Sequence, residues 1–247
     1  MAKDHQGRVA VITGAAGGLG YHFAQRLAQE GCKLALADLH IPERTVAACK
    51  ALGAEVYAEG FDLADAEQVT AFTRNVLECF GRCDILVCNA AHMPLIPFDE
   101  LDLEALRRFE AVNVESSFLL AKGFAGDMAS RGYGRIVQVA SSTTSSPMPG
   151  FAGYVTSKMA GIGLVRALAA ELGPRGITVN AISPGLTRTE SSAKHLPAAL
   201  FEAVKERQLI KRTEEPADLC GALAFITSED AGFISGQVLN VDGGATF

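Results

Sequence analysis

Short β-branched apolar runs alternate along the chain with longer stretches whose apolar positions recur at helical spacing. The runs predict strands over 8–13, 33–37, 54–58, 84–88, 134–139, 177–182 and 237–241. The periodic stretches predict helices near 18–30, 42–51, 65–79, 101–128, 152–173, 198–207 and 215–227. Strands that are apolar on both faces need cover above and below, so the alternation implies an α/β domain. We expect one doubly wound parallel sheet of about seven strands with helices on both faces. No internal repeat or low-complexity linker divides the chain. Residues 186–213 read least clearly, and in so compact a pattern such a segment is often a substrate lid.

Composition narrows the picture. The 247 residues suit one domain, and 49% hydrophobic with 20% charged content suffices for a real core. Net charge is −6 and no Lys/Arg run tracks a phosphate backbone, so nucleic acid and anionic membranes are not expected partners. The polar start, Met1 to Gly7, resembles neither a secretory signal nor a transit peptide. No apolar run approaches the ~20 residues needed to span a bilayer. A cytoplasmic protein is the expectation. Cys32, Cys49, Cys79, Cys83, Cys88 and Cys220 form no Cys-x-x-Cys pair and have no His at ligand spacing. They are expected to be small buried hydrophobes, with no metal bound.

Directly after the first strand stands Thr13-Gly14-Ala15-Ala16-Gly17-Gly18-Leu19-Gly20, then a helix. Glycines at 14, 18 and 20 permit a tight turn and close approach to a pyrophosphate. The helix N-terminus adds free N–H groups and the positive end of its dipole. A structural strand-to-helix turn would also explain the glycines. The second strand ends in Asp38, eighteen residues past Gly20. A carboxylate there accepts hydrogen bonds from both adenosine ribose hydroxyls and repels a 2′-phosphate, and Leu39 offers no compensating cation. NAD is therefore expected over NADP, with a helix N-cap as the other reading of Asp38. Asp62-Leu63, ending the third strand, would lie beside the adenine.

Tyr154-Val155-Thr156-Ser157-Lys158 carries the chemistry. Residues four apart share a helix face, and this stripe continues through Gly161, Ile162, Val165, Leu168, Ala169 and Leu172. A lysine on an apolar stripe is unusual. A phenol titrates near ~10, and each unit of lowering needs roughly 1.4 kcal/mol. A neighbouring ammonium and a cationic nicotinamide would help to stabilise the phenolate, so Tyr154 can trade a proton with a substrate oxygen. Lys158 can also hold the nicotinamide ribose. The bland alternative is a core tyrosine with a snorkelling lysine. Ser141, at the tip of the strand preceding this helix, can orient the same oxygen. Asn113, in mid-helix, is read either as the site of a water leading from Lys158 or as an interhelical hydrogen bond.

In order along the chain stand Thr13-Gly14-x3-Gly18-x-Gly20, Asp62, Asn89-Ala90-Ala91, Asn113, Ser141, Tyr154-x3-Lys158, Pro184-Gly185 and Gln237…Asp242-Gly243-Gly244. This series resembles the short-chain dehydrogenase/reductase family over nearly the full length. The resemblance implies a Rossmann fold and a catalytic tetrad of Asn113, Ser141, Tyr154 and Lys158. It selects Ser141 over Ser142 by its separation from the tyrosine. It implies that Asn89 and Ala90 flank the cofactor, and that the Thr187 backbone and Thr189 hydroxyl approach the carboxamide and phosphates. A homotetramer is also implied. Ala91 departs from the family's usual glycine, which could narrow the space near the cofactor.

Phe80 to Val87 and Pro94 to Leu101 look similar to NAD-dependent secondary-alcohol dehydrogenases of the 1-phenylethanol type, which implies a secondary alcohol or ketone substrate. Met93, Pro94, Ser142, Met148, Pro149 and the 186–213 segment would line an apolar pocket. The other readings are a 3-oxoacyl-carrier-protein reductase, against which Asp38 counts, and an NAD-sensing interaction protein without catalysis. Zinc-dependent oxidation lacks ligands.

Overall fold

The computed structural model describes residues 5–246; residues 1–4 of the polar start lie outside that range. Seven parallel strands run in the order β3-β2-β1-β4-β5-β6-β7: β1 Val9–Thr13, β2 Lys33–Asp38, β3 Val56–Gly60, β4 Ile85–Cys88, β5 Gly134–Val139, β6 Ile177–Pro184 and β7 Val238–Val241. Alternation of side chains along each strand splits the core into two layers. Val11 and Leu86 join one layer with Phe72 and Val76 of α3 (Ala66–Phe80), Leu120 and Phe124 of α5 (Ser116–Ser130), and Ile162 and Val165 of α6 (Ala152–Leu172). Ala10, Ile12, Ile85 and Val87 point the other way. They meet Phe23 and Leu27 of α1 (Gly18–Gln29), Cys49 of α2 (Glu43–Ala51), and Leu219 and Leu223 of α9 (Pro216–Ile226). The expected doubly wound sheet with two covered faces is the observed fold.

The stretch expected as one helix over 101–128 is divided. A short 3-10 turn at Phe98–Glu100 precedes α4 (Leu103–Glu110), and one π-helical turn at Ala111–Glu115 joins α4 to α5. Between β6 and α9 the unclear segment contains α7 (Glu190–His195) and α8 (Ala198–Arg207).

Opposite the strands' C-terminal edge, buried Asp84 ties the sheet's lower end together. It accepts from the Val9 N–H (2.9 Å) and from Arg82 Nε (2.8 Å), and also pairs with Arg131. Asp84→Ala leaves the Val9 N–H without its acceptor and takes the carboxylate from Arg82, while Arg131 keeps Asp127, and should cost about 2–3 kcal/mol in denaturant unfolding; an unchanged midpoint would remove Asp84 from the stability account.

All six cysteines are free. Five are buried, as expected; Cys79, on α3, is exposed. Burial raises the Cys32 thiol to about 12 and those of Cys49 and Cys88 to about 11. The thiolate is the reactive form, so a thiol reagent should label one cysteine in the native protein and six in denaturant. Two or more fast native equivalents would contradict this packing.

Candidate active site

Every strand runs the same way, so the tips of β1, β2, β4, β5 and β6 reach one edge of the sheet. β1 lies between β2 and β4, where the chain order reverses, and a crevice forms outside the strand ends at such a point. There the Thr13 hydroxyl accepts the N–H groups of Asn89 and Ala90 (both 3.1 Å), while Asn89 Nδ2 donates to the carbonyls of Thr13 (2.9 Å) and Gly14 (3.1 Å). Gly14 has φ +66°, and a Cβ on it would lie 2.7 Å from Ala90 Cα. A Cβ on Gly20 would lie 2.0 Å from the Gly14 carbonyl. These two glycines are required by the turn itself.

Gly17 and Gly18 serve differently. A Cβ on Gly17 would meet nothing within 4 Å, and one on Gly18 only Thr189 Cγ2 at 3.9 Å. The turn therefore presents bare backbone to open space, and the N-terminus of α1 carries no side-chain cap. A cavity of about 170 Å³ opens beside it, lined among others by Gly17, Gly18, Tyr21, Arg188 and Thr189. Uncapped N–H groups at a helix N-terminus, next to an open cavity, fit a diphosphate. Leu19 packs partly buried against the layer containing Phe23.

At the tip of β2, Asp38 Oδ2 accepts the Ala16 N–H and Oδ1 the Leu39 N–H, each at 2.7 Å. Asp38 does not cap α2, whose N-cap is Pro42. Both oxygens keep lone pairs for ribose hydroxyls. Leu39 is exposed, whereas Leu63 is buried in the core. The adenine expectation thus keeps the Leu63 backbone and loses its side chain. Asp62 accepts the Ala64 N–H (2.9 Å) and holds Arg108 through both oxygens (2.9 and 2.8 Å). The carboxylate expected beside adenine is already ion-paired to α4, an arrangement that spacing in the sequence does not signal. Ala91 is exposed, and its methyl is not wedged into the glycine turn.

Tyr154 and Lys158 are buried on the inner face of α6, with Thr156, Arg166 and Glu171 outside, as the stripe predicts. Lys158 Nζ lies 5.5 Å from the centre of the Tyr154 ring and donates to the Val139 carbonyl at 2.7 Å. Burial lowers this ammonium to about 8, so it stays mainly charged at neutral pH. Burial drives Tyr154 up to about 12, and only a hydrogen bond with Ser141 pulls the other way. Desolvation of the buried phenol is the larger effect.

Ser141 Oγ accepts from both the N–H (3.2 Å) and the hydroxyl (2.9 Å) of Thr143. With its lone pairs engaged, its own proton is left to point elsewhere. The Asn113 side chain makes the interhelical hydrogen bond of its structural reading. Its Oδ1 accepts the His92 N–H (2.7 Å), and its Nδ2 donates to the His92 carbonyl (3.0 Å) and to Ser157 Oγ (2.8 Å). Ser157 in turn donates to the Tyr154 carbonyl at 2.8 Å. Asn113 lies within the π-helical turn, where Gln138 reaches its carbonyl at 3.4 Å. Thr143 and Ser157 carry no sequence signal of these roles.

Over this site, the Ile96 N–H donates to the Gly150 carbonyl (3.0 Å) and joins the loop after β4 to the loop after β5. Ile96, Leu101 and Met148 pack against Phe109, Phe151 and Tyr154. Met93 is exposed, Pro94 is partly buried, Ser142 opens a short 3-10 turn, and Pro149 is exposed. Pro184 closes β6, and Gly185 and Thr187 follow it. The Thr189 hydroxyl caps α7 by accepting the Ser192 N–H at 3.1 Å. The Thr187 hydroxyl meets buried Glu214 at 2.5 Å, a partner that sequence reading did not single out. Among the described residues, no cluster of His, Cys, Asp or Glu could hold a metal ion and no helix is long and apolar enough to cross a membrane.

A family model described as enoyl-(acyl carrier protein) reductase matches residues 14–246. An uncharacterised oxidoreductase of Thermotoga maritima is 36% identical over 98% of this chain and 99% of its own. Among solved structures, a 7α-hydroxysteroid dehydrogenase in complex with NADH and 7-oxo glycochenodeoxycholic acid superposes with TM-score 0.94 and 30% identity, covering 98% of this chain and 96% of the other. A protein described as an NAD(P)-dependent gluconate 5-dehydrogenase of Beutenbergia cavernae, with NADP bound, gives 0.92 and 32%, covering 99% of each. The chain belongs to the short-chain dehydrogenase/reductase family and has its NAD(P)-binding Rossmann fold. It is an oxidoreductase of that family.

Proposed function

We propose that the protein is an NAD(H)-dependent dehydrogenase/ketoreductase of secondary alcohols, with Tyr154 as its acid/base. The carrying observation is that buried Tyr154 and Lys158, with Lys158 Nζ 5.5 Å from the phenol ring, stand at the same sheet edge as the open glycine turn. When bound, the nicotinamide supplies the hydride acceptor or donor. The substrate oxygen accepts the Ser141 proton and lies against the Tyr154 hydroxyl. In reduction the phenol gives its proton to that oxygen; in oxidation the phenolate takes the hydroxyl proton. Lys158 brings the positive charge that favours the phenolate, and Asn113, through Ser157, fixes the helix turn that carries Tyr154.

Apolar Ile96, Leu101, Met148 and Phe151 beside the phenol support a substrate whose carbinol carries an apolar or aryl group, as 1-phenylethanol does. Met93 and Ser142 are placed at its rim. Asp38 supports NAD over NADP. The segment 186–213 is read as the lid, with Gly185 and the Thr187 backbone near the carboxamide. Exposed Phe118 of α5 and Met159 of α6 support the homotetramer, for which light scattering should give about four times the 26.0 kDa chain mass. A cytoplasmic location belongs to the same reading.

The test is a panel of secondary alcohols and ketones followed by NADH absorbance, with NAD(H) and NADP(H) in parallel. A phenol held near 12 is almost wholly protonated at neutral pH, and its phenolate becomes more abundant as pH rises. Alcohol oxidation should therefore gain rate from about pH 7 to 10 while ketone reduction does not. Turnover of no carbonyl or alcohol with either cofactor would sink the reading.

A further inference from the structure

Glu214 precedes α9 and is 4% exposed. Its Oε1 lies 2.5 Å from the Thr187 hydroxyl, and its Oε2 accepts the Gly185 N–H at 3.1 Å. Its carbonyl accepts the Arg188 N–H at 2.8 Å, and residues 187 and 214 form an isolated parallel bridge. One residue thus holds the turn after β6 at three points. The fit is close: a Cβ on Gly185 would stand 2.7 Å from Glu214 Oε2 and 3.1 Å from Asp242 Cβ.

The charges facing this carboxyl group are Asp218 on α9, Asp242 after β7, and Arg212 ahead of α9. Arg212 is committed to Asp218 through two bonds of 2.6 Å. No cation contacts the Glu214 carboxyl group among the described residues. A buried acid without a cation is costly, and an apolar side chain would fill the space more cheaply. Its two hydrogen bonds both end on the turn that the proposed function gives to the nicotinamide.

We propose that Glu214 is a positioning residue for the cofactor: its carboxyl group, bonded to Thr187 and Gly185, sets the 185–188 turn, and a negative charge on it weakens dinucleotide binding. This rests on the reading of that turn as the nicotinamide's seat. Burial raises the group to about 7; the bonds from Thr187 and Gly185 pull it down, and Asp218 and Asp242 push it up. The Thr187 hydroxyl and the Gly185 N–H both donate to this carboxyl group, and below that pH it holds them without charge. Above it a third negative charge joins Asp218 and Asp242, at a site that takes an anionic dinucleotide. The sign follows from the raised value: the favourable neutral form is full at low pH and is lost as pH rises through about 7.

The experiment is NADH binding by fluorescence at about pH 6 and pH 8, with the full chain and thermal melts of each variant. Glu214→Gln imitates the neutral acid, since its amide donates to Thr187 and its oxygen accepts from Gly185. Its Kd at pH 8 should match that of the unaltered protein at pH 6, while the unaltered protein weakens several-fold between them. Lys158 also titrates near this range but is common to both proteins, so their difference isolates Glu214. Glu214→Ala should bind about tenfold more weakly than the unaltered protein at pH 6, the cost of losing buried hydrogen bonds, and should no longer weaken several-fold between pH 6 and pH 8. Should its melt show an unfolded chain, Thr187→Val takes its place, with a weakening of about fivefold expected. Unaltered pH dependence in Glu214→Gln, or unaltered affinity in the alanine or valine variant, overturns the proposal. Failure of the unaltered protein to bind NADH or NADPH at any pH overturns the cofactor reading itself, and this proposal with it.

Discussion

Tyr154→Phe is expected to lower turnover about a thousandfold while NADH affinity stays within about twofold. The substitution removes one oxygen and leaves the ring that packs with Phe109 and Phe151. The fold at this point is held from the backbone, through Ser157 and Asn113, so the helix turn should survive the loss. What disappears is the group that exchanges a proton with the substrate oxygen. General acid–base catalysis by a positioned side chain is worth about 10² to 10⁴ in rate, and no other hydroxyl at the site replaces it, because Ser141 is a much weaker acid than a phenol. Single-turnover absorbance with a ketone found active in the panel, alongside fluorescence titration with NADH, separates chemistry from binding. Turnover within tenfold of the unaltered enzyme would take the tyrosine out of the mechanism. Loss of NADH binding together with activity would point instead to a structural role.

Asp38→Ala is expected to move the NAD-to-NADP preference in kcat/KM by about a hundredfold toward NADP. Two effects act in one direction. Hydrogen bonds from ribose hydroxyls to a charged acceptor are worth about 1.5–3 kcal/mol, and removing the carboxylate also lifts its repulsion of a 2′-phosphate. The structure adds a complication, because the same oxygens accept the N–H groups of Ala16 and Leu39. Alanine therefore loosens the glycine turn as well and should lower overall affinity for both cofactors. Asp38→Asn separates the contributions, since it keeps an acceptor for the backbone and removes the charge. If preference shifts in the asparagine variant, charge discriminates. A ratio unchanged in both variants would refute the discriminating role of Asp38.

The strand and helix positions were legible because a parallel sheet covered on both faces demands apolar runs. β1 Val9–Thr13 and β5 Gly134–Val139 fall within the runs read from the apolar pattern alone. The third strand is displaced, from 54–58 to Val56–Gly60, because only its pairing with Leu34 to Asp38 sets its register. The break in the expected 101–128 helix was hidden, since one π-helical turn spans too few residues for apolar periodicity to tell it from α-helix. Asn113 marked that place as a poor helix former. That it bonds the backbone of His92, twenty-one residues away in sequence, required the fold.

The sequence by itself determined the class of fold, the glycine turn after β1 and the shared helix face of Tyr154 and Lys158. Each depends on local rules: strand and helix periods, the backbone freedom of glycine, and four-residue spacing on a helix. Only the tertiary structure decided the state of the charged and polar groups. Lys158 is spent on the Val139 carbonyl, Asp62 on Arg108, the Thr189 hydroxyl on the α7 cap, and Glu214 on the turn after β6. Hydrogen-bond partners and desolvation arise from residues far apart in the chain, so the proton affinity of a side chain is a property of its packed surroundings.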